Sequence, residues 1–366
     1  MQKTGTATLP LHYGKAPRWL FSRMVALSRE ITIALVTEFG AVELLRRLSD
    51  PYWFQALGCV LGFDWHSSGL TTTVTGALKE GIKDLENELG IFIAGGKGKT
   101  SRKTPEQILF YADRYSINAP PLIYASRMSA KVDNTAIQDG YQLYHHVFIS
   151  TFRGEWAVVQ QGMNPTNKKA RRYHWLGEDV KDFVVEPHKA ICSEARHKTL
   201  NMVALESENA RKISVDLSRE VPDKVIKEAK MISGLSLPER HNVSVLDIDL
   251  KRLYTILIKT YEKQPQNFES LLGIEGLGPK TIRALSLISE LIYDMPPSYR
   301  DPARFSFAHG GKDGTPFPVD RKIYDKTIEI MKNAIQSAKI GNTERVEAIK
   351  RLNKYFLDAP HQASPY

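Results

Sequence analysis

The segment Gly276-Leu277-Gly278-Pro279-Lys280-Thr281 constrains the fold more than any other part of the sequence. Its two glycines permit backbone conformations that other residues avoid, and Pro279 suits a first helical turn, which needs no amide donor. Apolar residues flank the turn at spacings that let two helices pack: Leu271, Leu272, Ile274, Leu277, Ile282, Leu285 and Ile288. The pattern predicts a helical hairpin over residues 267–288.

The start of the second predicted helix is suited to binding a phosphate. Its first backbone amides have no partner within the helix, and the helix dipole adds positive potential there. Residues 268–285 resemble the helix-hairpin-helix family of DNA-binding elements. That resemblance implies phosphate contacts, independent of base sequence, from Gly276, Gly278, Lys280 and Thr281. The alternative is a hairpin without a ligand.

Charge and length set the broad class of protein. The 366 residues include 50 Lys and Arg against 41 Asp and Glu, and the net charge of +9 favours a polyanionic partner such as DNA. The length predicts two domains. Only Cys59 and Cys192 are present, which excludes a four-thiolate iron–sulfur cluster and favours a reducing cytoplasm. We find no apolar run of the roughly 20 residues that a membrane span needs.

The order of helical and strand patterns predicts an α+β fold. Residues 16–62 have helical spacing, with Asp50-Pro51 as a cap and first turn. We expect an N-terminal domain, residues 1–235, in which helices accompany a small, mainly antiparallel sheet. Turn-forming residues at 236–242 predict a linker, and residues 243–366 predict an all-helical domain that carries the hairpin.

Residues 141–163 alternate in hydrophobicity and predict two antiparallel strands. Arg153-Gly154 is the expected two-residue turn. That turn would place Phe148 opposite Val159, His146 opposite Gln161, His145 opposite Gly162 and Phe152 opposite Glu155.

A second phosphate-binding element is predicted after a strand that begins at Ile91. The sequence Gly95-Gly96-Lys97-Gly98-Lys99 resembles a nucleotide-binding loop, but Ile93 stands where that loop requires glycine, so no nucleotide cofactor is expected. Lys97, Lys99 and Arg102 would contact a phosphate. The alternative is an ordinary solvated loop.

The stretch 167–175 combines cations with aromatic residues, as nucleic-acid-binding segments do. We expect Lys168, Lys169, Arg171 and Arg172 to contact DNA phosphates.

Hairpins of this kind often serve as handles for a catalytic module, so the leading hypothesis is a metal-dependent, structure-selective DNA nuclease acting in repair or DNA metabolism. The candidate catalytic residues are polar side chains of the first domain: Asp64, His66, Asp139, His145, His146, Glu155 and Gln161. Asp139 and His146 would bind Mg²⁺ or Mn²⁺, which activates water and neutralises phosphate charge. The alternative is that the polar residues at the open end of the predicted hairpin are only a solvated strand end without a catalytic role.

Two other functions stay open. Pro318-Val319-Asp320 downstream of the hairpin resembles helix-hairpin-helix DNA glycosylases, which implies Lys280 as an amine nucleophile and Asp320 as its carboxylate, although the two lie forty residues apart. The other is a non-enzymatic protein that recognises DNA structure. We also expect that the protein could form a homodimer, because two hairpins would bind DNA more tightly than one.

Over most of its length the chain resembles a prokaryotic, mostly archaeal family designated domain of unknown function seven-six-three. The matching stretches are Gly5-Thr6-Ala7, Leu9-Pro10-Leu11-His12, Ala16-Pro17-Arg18-Trp19-Leu20, residues 50–58, Asp64-Trp65-His66-Ser67-Ser68-Gly69 and Gly95-Gly96-Lys97-Gly98.

Overall fold

A computed structural model describes residues 18–62, 69–166, 168–193, 196, 198–233 and 249–303, with shorter helical pieces at 329, 332–337, 343–344 and 346–351. The helices that come before the sheet are α1 (Arg18–Phe39), α2 (Ala41–Ser49), α3 (Pro51–Val60), α4 (Gly69–Gly81) and α5 (Glu86–Leu89). Helix α3 begins as the sequence predicts. The Asp50 carboxylate accepts from the amides of Tyr52 and Trp53 at 2.8 and 2.9 Å, and Pro51 occupies the first turn.

An antiparallel sheet follows, with strands β1 (Ile91–Lys97), β3 (Gln142–Thr151), β4 (Trp156–Asn164), β5 (Lys169–Leu176) and β6 (Ala190–Cys192) side by side in that order. A small separate ladder pairs β2 (Ile137–Gln138) with β7 (Leu200–Asn201). Between β1 and β3 the chain forms α6 (Lys99–Arg102), α7 (Thr104–Tyr115), α8 (Ala119–Lys131) and a π-helix (Val132–Ala136). The predicted combination of helices with an antiparallel sheet is confirmed.

Helices cover both faces of the sheet. Helices α2 and α4 pack on one face against Ile93, Val147 and Val159. Helices α7 and α8 pack on the other, against Phe92 and Phe148. Alternate residues of each strand therefore enter two different cores, which explains why β1 and β4 carry almost continuous apolar runs.

The C-terminal helices extend the core on the α8 side. They are α9 (Glu208–Arg219), α10 (Pro222–Ser233), α11 (Leu250–Lys263), α12 (Phe268–Leu272) and α13 (Pro279–Tyr293). Leu257, Leu271 and Leu285 of these helices belong to the same buried cluster as Phe148 and Val158 of the sheet. The predicted linker at 236–242 lies outside the described residues, so the domain boundary stays a prediction.

The β3–β4 hairpin exists, but its predicted register is wrong by one residue. The amide of Thr151 donates to the carbonyl of Glu155 at 2.9 Å, which leaves a three-residue loop, Phe152 to Gly154. Gly154 has a φ of 99°, the left-handed conformation that closes three-residue loops. The true pairs are Phe148 with Val158, His146 with Gln160 and His145 with Gln161, and Phe152 has no partner across the ladder.

Candidate functional site

Of the two glycines in the turn between α12 and α13, only Gly276 adopts a backbone conformation that other residues avoid, with a φ of 85°. Gly278, which precedes α13, is extended, a conformation open to any residue. No side chain caps α13, and Pro279 occupies its first turn. Gly273, Gly276 and Lys280 are exposed. Thr281 is buried, contrary to the expectation that its hydroxyl would be available to a phosphate at the surface. The start of α13 is therefore open to a ligand.

Cations surround this turn. Lys280 follows it directly, and the ammonium of Lys259 on α11 would lie 3.7 Å from a Cβ at Gly276. Lys131, the last residue of α8, donates to the carbonyl of Leu277, and burial lowers its pKa. Gln138 donates to the carbonyl of Pro279 at 2.8 Å and accepts from Arg283. These contacts attach the turn to the end of α8 and to β2.

A second polar group crosses the sheet as a row of opposed residues. Lys97 on β1 lies opposite His145 on β3, His145 opposite Gln161 on β4, and Gln161 opposite Arg172 on β5. Directly opposed residues of antiparallel strands project to the same face. We call these four residues the cross-strand row. The row joins His145 and Gln161 to Lys97, although the sequence assigned these residues to separate predicted sites.

His145 is the buried centre of the cross-strand row. Its Nε2 atom lies 2.9 Å from the hydroxyl of Thr75 on α4, and that hydroxyl donates to the carbonyl of Thr71 at 2.7 Å. A hydroxyl has a single hydrogen, and because Thr75 gives its hydrogen to Thr71, we assign the ring hydrogen to Nε2, which then donates to Thr75. Burial, with smaller effects from His146 and Lys97, lowers the pKa of His145 to about 3. The ring is neutral at physiological pH.

The loop after β1 lies at the Lys97 end of the row. Lys97, Lys99 and Arg102 are all exposed there. Gly95 has a φ of 92°, and a Cβ on it would stand 2.3 Å from the carbonyl oxygen of His146, so only glycine lets β1 approach β3 so closely. The ammonium of Lys79 holds the carbonyl of Gly95 at 2.8 Å.

The other predicted basic segment is mostly inside the protein. Lys168 is exposed and Lys169 is half-buried, but Arg171 and Arg172 are buried. Their guanidinium groups contact protein groups: Arg172 donates to His174 at 2.8 Å and to Gln55 at 3.2 Å. Both faces of β5 are covered by protein. Neither arginine is therefore exposed, as the predicted contact with a DNA phosphate would require.

Asp139 belongs to a buried ion-pair network. Its carboxylate accepts from Arg171 at 2.8 Å, from the Tyr173 hydroxyl at 2.7 Å and from the Tyr141 amide at 3.0 Å. Arg171 also donates to Asp301 at 2.8 Å. Burial raises the pKa of Asp139, and the charge of Arg171 opposes that effect.

His146 faces the opposite side of the sheet from His145 and lies in a buried hydrogen-bond chain. Its Nδ1 atom is 2.8 Å from Gln160 Oε1, and its Nε2 atom is 2.9 Å from the Ser126 hydroxyl. The amide of Gln160 donates in turn to the carboxylate of Asp133 at 2.6 Å. The same carboxylate accepts from Trp175 and contacts His188. Ser126, Asp133 and His188 were missed because only the π-helix after α8 and the long-range packing bring them together.

The remaining predicted residues lie apart from these groups. Glu155 accepts a hydrogen bond from Thr151 at the closed end of the β3–β4 hairpin. His145 lies six residues from Thr151 along β3, a distance of about 20 Å for an extended strand. Asp139 and His146, the predicted metal ligands, are held by different partners. Within the described part of the chain, no three His, Cys, Asp or Glu side chains are grouped so that they could hold a metal ion. Asp64, His66 and Asp320 lie outside the described residues.

The family model described as "Protein of unknown function (DUF763)" matches residues 5–319. The chain belongs to this family. The DUF763 match includes both the cross-strand row and the α12–α13 turn. No curated protein and no solved structure matches the chain. No helix among the described residues is long and apolar enough to cross a membrane.

Proposed function

We propose that this protein binds the phosphate backbone of DNA through the turn between α12 and α13, as a helix-hairpin-helix element, in DNA repair or metabolism. The observation that carries the proposal is the start of α13 behind Gly276 and Gly278, where no described side chain caps the helix and Lys280 is exposed. Backbone amides at a helix start, together with the helix dipole, form a ready site for a phosphate oxygen.

The charges around the turn support the same ligand. Lys280 and Lys259 add two cations beside the amides, and the chain as a whole carries +9. A phosphate bound there would meet the amide dipoles and both ammonium groups. Such contacts position DNA without reading its bases, so affinity should depend on salt and not on base sequence.

The rigidity of the turn also supports binding. Lys131 and Gln138 hold the carbonyls of Leu277 and Pro279, so the amides beyond them already point in a fixed direction. A preorganised site loses less entropy when the ligand binds.

The test is fluorescence anisotropy with labelled duplexes of two unrelated sequences, measured over a series of salt concentrations. We expect equal affinity for both duplexes. Lys280→Ala and Lys259→Ala should each reduce the slope of log K against log salt by about 0.9. Lys212→Ala is the matched control, because Lys212 is an exposed lysine on α9 that pairs with Glu208. Slopes that do not change in the first two variants would contradict the proposal.

Strand cleavage is a second candidate function. It is favoured by the cross-strand row, in which His145 lies between Lys97 on one neighbouring strand and Gln161 on the other. Incubation of labelled single-stranded, duplex, bubble and abasic DNA with EDTA, Mg²⁺ or Mn²⁺, resolved on a denaturing gel, tests it. Scission that needs Mg²⁺ or Mn²⁺ and is lost in His145→Gln would support a metal-dependent nuclease.

The same gel separates the remaining alternatives. Scission of abasic DNA alone that persists in EDTA and is lost in Lys280→Ala would indicate a lyase that uses Lys280 and Asp320. DNA that stays intact throughout, but is retarded on a native gel, would indicate a binding protein without enzymatic activity.

A further inference from the structure

One buried polar atom in the cross-strand row has no hydrogen-bond partner among the described residues. The Nε2–H of His145 donates to Thr75, which leaves Nδ1 as a bare acceptor. Nδ1 is buried, and no group among the described residues donates to it. A buried acceptor of this kind is normally satisfied, so its partner is expected to be a group that the protein binds.

A cation and an open stretch of backbone lie next to this ring. Lys97 is directly opposite His145 and exposed, with its ammonium 5.8 Å from the centre of the Tyr144 ring. Tyr144 sits where the β3–β4 register shifts, and its hydroxyl accepts from Gln161 at 2.5 Å. A Cβ at Gly98 would meet nothing within 4 Å, so the chain beyond Lys97 leaves room for a ligand.

The exposed cation of Lys97 and the buried acceptor atom of His145 favour different properties in one ligand. The ammonium group of Lys97 favours a ligand that carries negative charge. The lone pair of His145 Nδ1 requires a hydrogen-bond donor, which a fully deprotonated anion lacks. A phosphate group that carries one hydroxyl has both.

We propose that Lys97 and His145 bind a phosphate monoester as its monoanion, with the hydroxyl of the phosphate donating to His145 Nδ1. The internal phosphodiesters of DNA carry charge but no hydroxyl, so the site prefers a terminal phosphate. The low pKa of His145 fits this role, since the ring stays an acceptor. This site is separate from the α12–α13 turn and does not depend on it.

The experiment is long-range ¹H–¹⁵N NMR of the histidine rings in the full-length chain at pH 6, where about half of a phosphate monoester is protonated. Inorganic phosphate, which carries at least one hydroxyl at this pH, is the first probe, and sulfate is its control, because sulfate is an anion of similar size that has no hydroxyl. We expect phosphate to move the Nδ1 resonance of His145 upfield in a saturable manner, while sulfate leaves it in place. Equal shifts with both anions, or no shift with either, would overturn the proposal.

Variants test the cation. Lys97→Gln should weaken the phosphate affinity about tenfold, the amount expected for loss of one charge-assisted hydrogen bond. Lys103→Gln, an exposed lysine near the same loop, should leave it unchanged. Equal affinity in Lys97→Gln and wild type would overturn the assignment of Lys97, and the unchanged backbone spectrum of each variant would verify folding.

Two sources could supply the monoester: a phosphorylated end of DNA or a free mononucleotide. A 5′-phosphorylated oligonucleotide, its 5′-hydroxyl counterpart and a nucleoside monophosphate distinguish them. Stronger binding of the phosphorylated strand than of the mononucleotide identifies DNA ends, and equal binding identifies the free nucleotide. Equal binding of the two oligonucleotides at His145 would contradict a monoester site. Lys280→Ala should leave the phosphate-induced shift intact, so failure of the DNA-binding proposal is recognised separately.

Discussion

Arg171 on β5 and Asp301, which lies beyond the end of α13, form an ion pair of 2.8 Å between side chains that are almost completely buried. The same guanidinium pairs with Asp139 at 2.8 Å and lies 4.6 Å from the centre of the Tyr141 ring. One buried cation therefore joins the sheet to a segment 130 residues further along the chain.

Removal of that cation should strongly destabilise the fold. Arg171→Met removes the guanidinium that contacts two buried carboxylates, and breaking a buried ion pair in this way typically costs about 3–5 kcal/mol. The free energy of unfolding, measured by urea denaturation, checks this. The matched control is Arg46→Met, because Arg46 forms a two-point pair with Glu178 at the surface and should cost less than about 1 kcal/mol. Similar losses in both variants would contradict the interpretation.

Local patterns predicted much of the architecture. Alternation identified the β3–β4 strands, and the cap at Asp50 and the glycine turn before Pro279 marked helix starts that the structure contains. These features depend on neighbouring residues only. The hairpin register was wrong because a two-residue and a three-residue loop differ by the conformation of one residue, Gly154, which composition alone does not specify.

Features that depend on distant residues could not be predicted. Arg171 and Arg172 look like surface cations in a basic stretch, but both side chains are buried, and Asp301 and Gln55 are among their partners. The partners of His146 include Ser126 from a different helix. The cross-strand row, in contrast, follows from strand order: it could have been found once β1 was known to pair with β3.

The two buried histidines of β3 should make stability depend on pH. Burial lowers the pKa of His145 to about 3 and that of His146 to about 4, against an unfolded value of 6.5. The unfolded chain therefore binds more protons below pH 6.5, and stability falls as the pH drops through that value. Each histidine should make the free energy of unfolding about 2 kcal/mol lower at pH 5 than at pH 7.5.

The contribution of His146 can be isolated by substitution. His146→Gln retains a polar group between Ser126 and Gln160 but cannot bind a proton, so the difference in unfolding free energy between pH 7.5 and 5 should shrink by about 2 kcal/mol. Urea denaturation at both pH values gives that difference. An identical pH dependence in wild type and variant would show that His146 is not held neutral.

The turn before α13 should depend on the absence of a side chain at Gly276. A Cβ there would approach Ile256 Cδ1 to 3.2 Å in a backbone conformation with a φ of 85°. Gly276→Val should lower stability by about 1–3 kcal/mol and weaken DNA binding, because the turn must change shape. Gly273→Ala is the control: its φ is −63°, its nearest new contact is 3.4 Å, and it should change neither property. Thermal denaturation and anisotropy measure the two effects.

The contact between Lys131 and the carbonyl of Leu277 should determine how rigid the α12–α13 turn is. Lys131→Met keeps the length of the side chain but removes its charged donor, a loss that should favour local opening about tenfold. Hydrogen–deuterium exchange of the amides at 275–281 should accelerate by that factor, while the amides of β3 stay protected. Arg127→Met, one turn earlier on α8 and exposed, is the control. Equal exchange in the two variants would mean that packing, and not Lys131, fixes the turn.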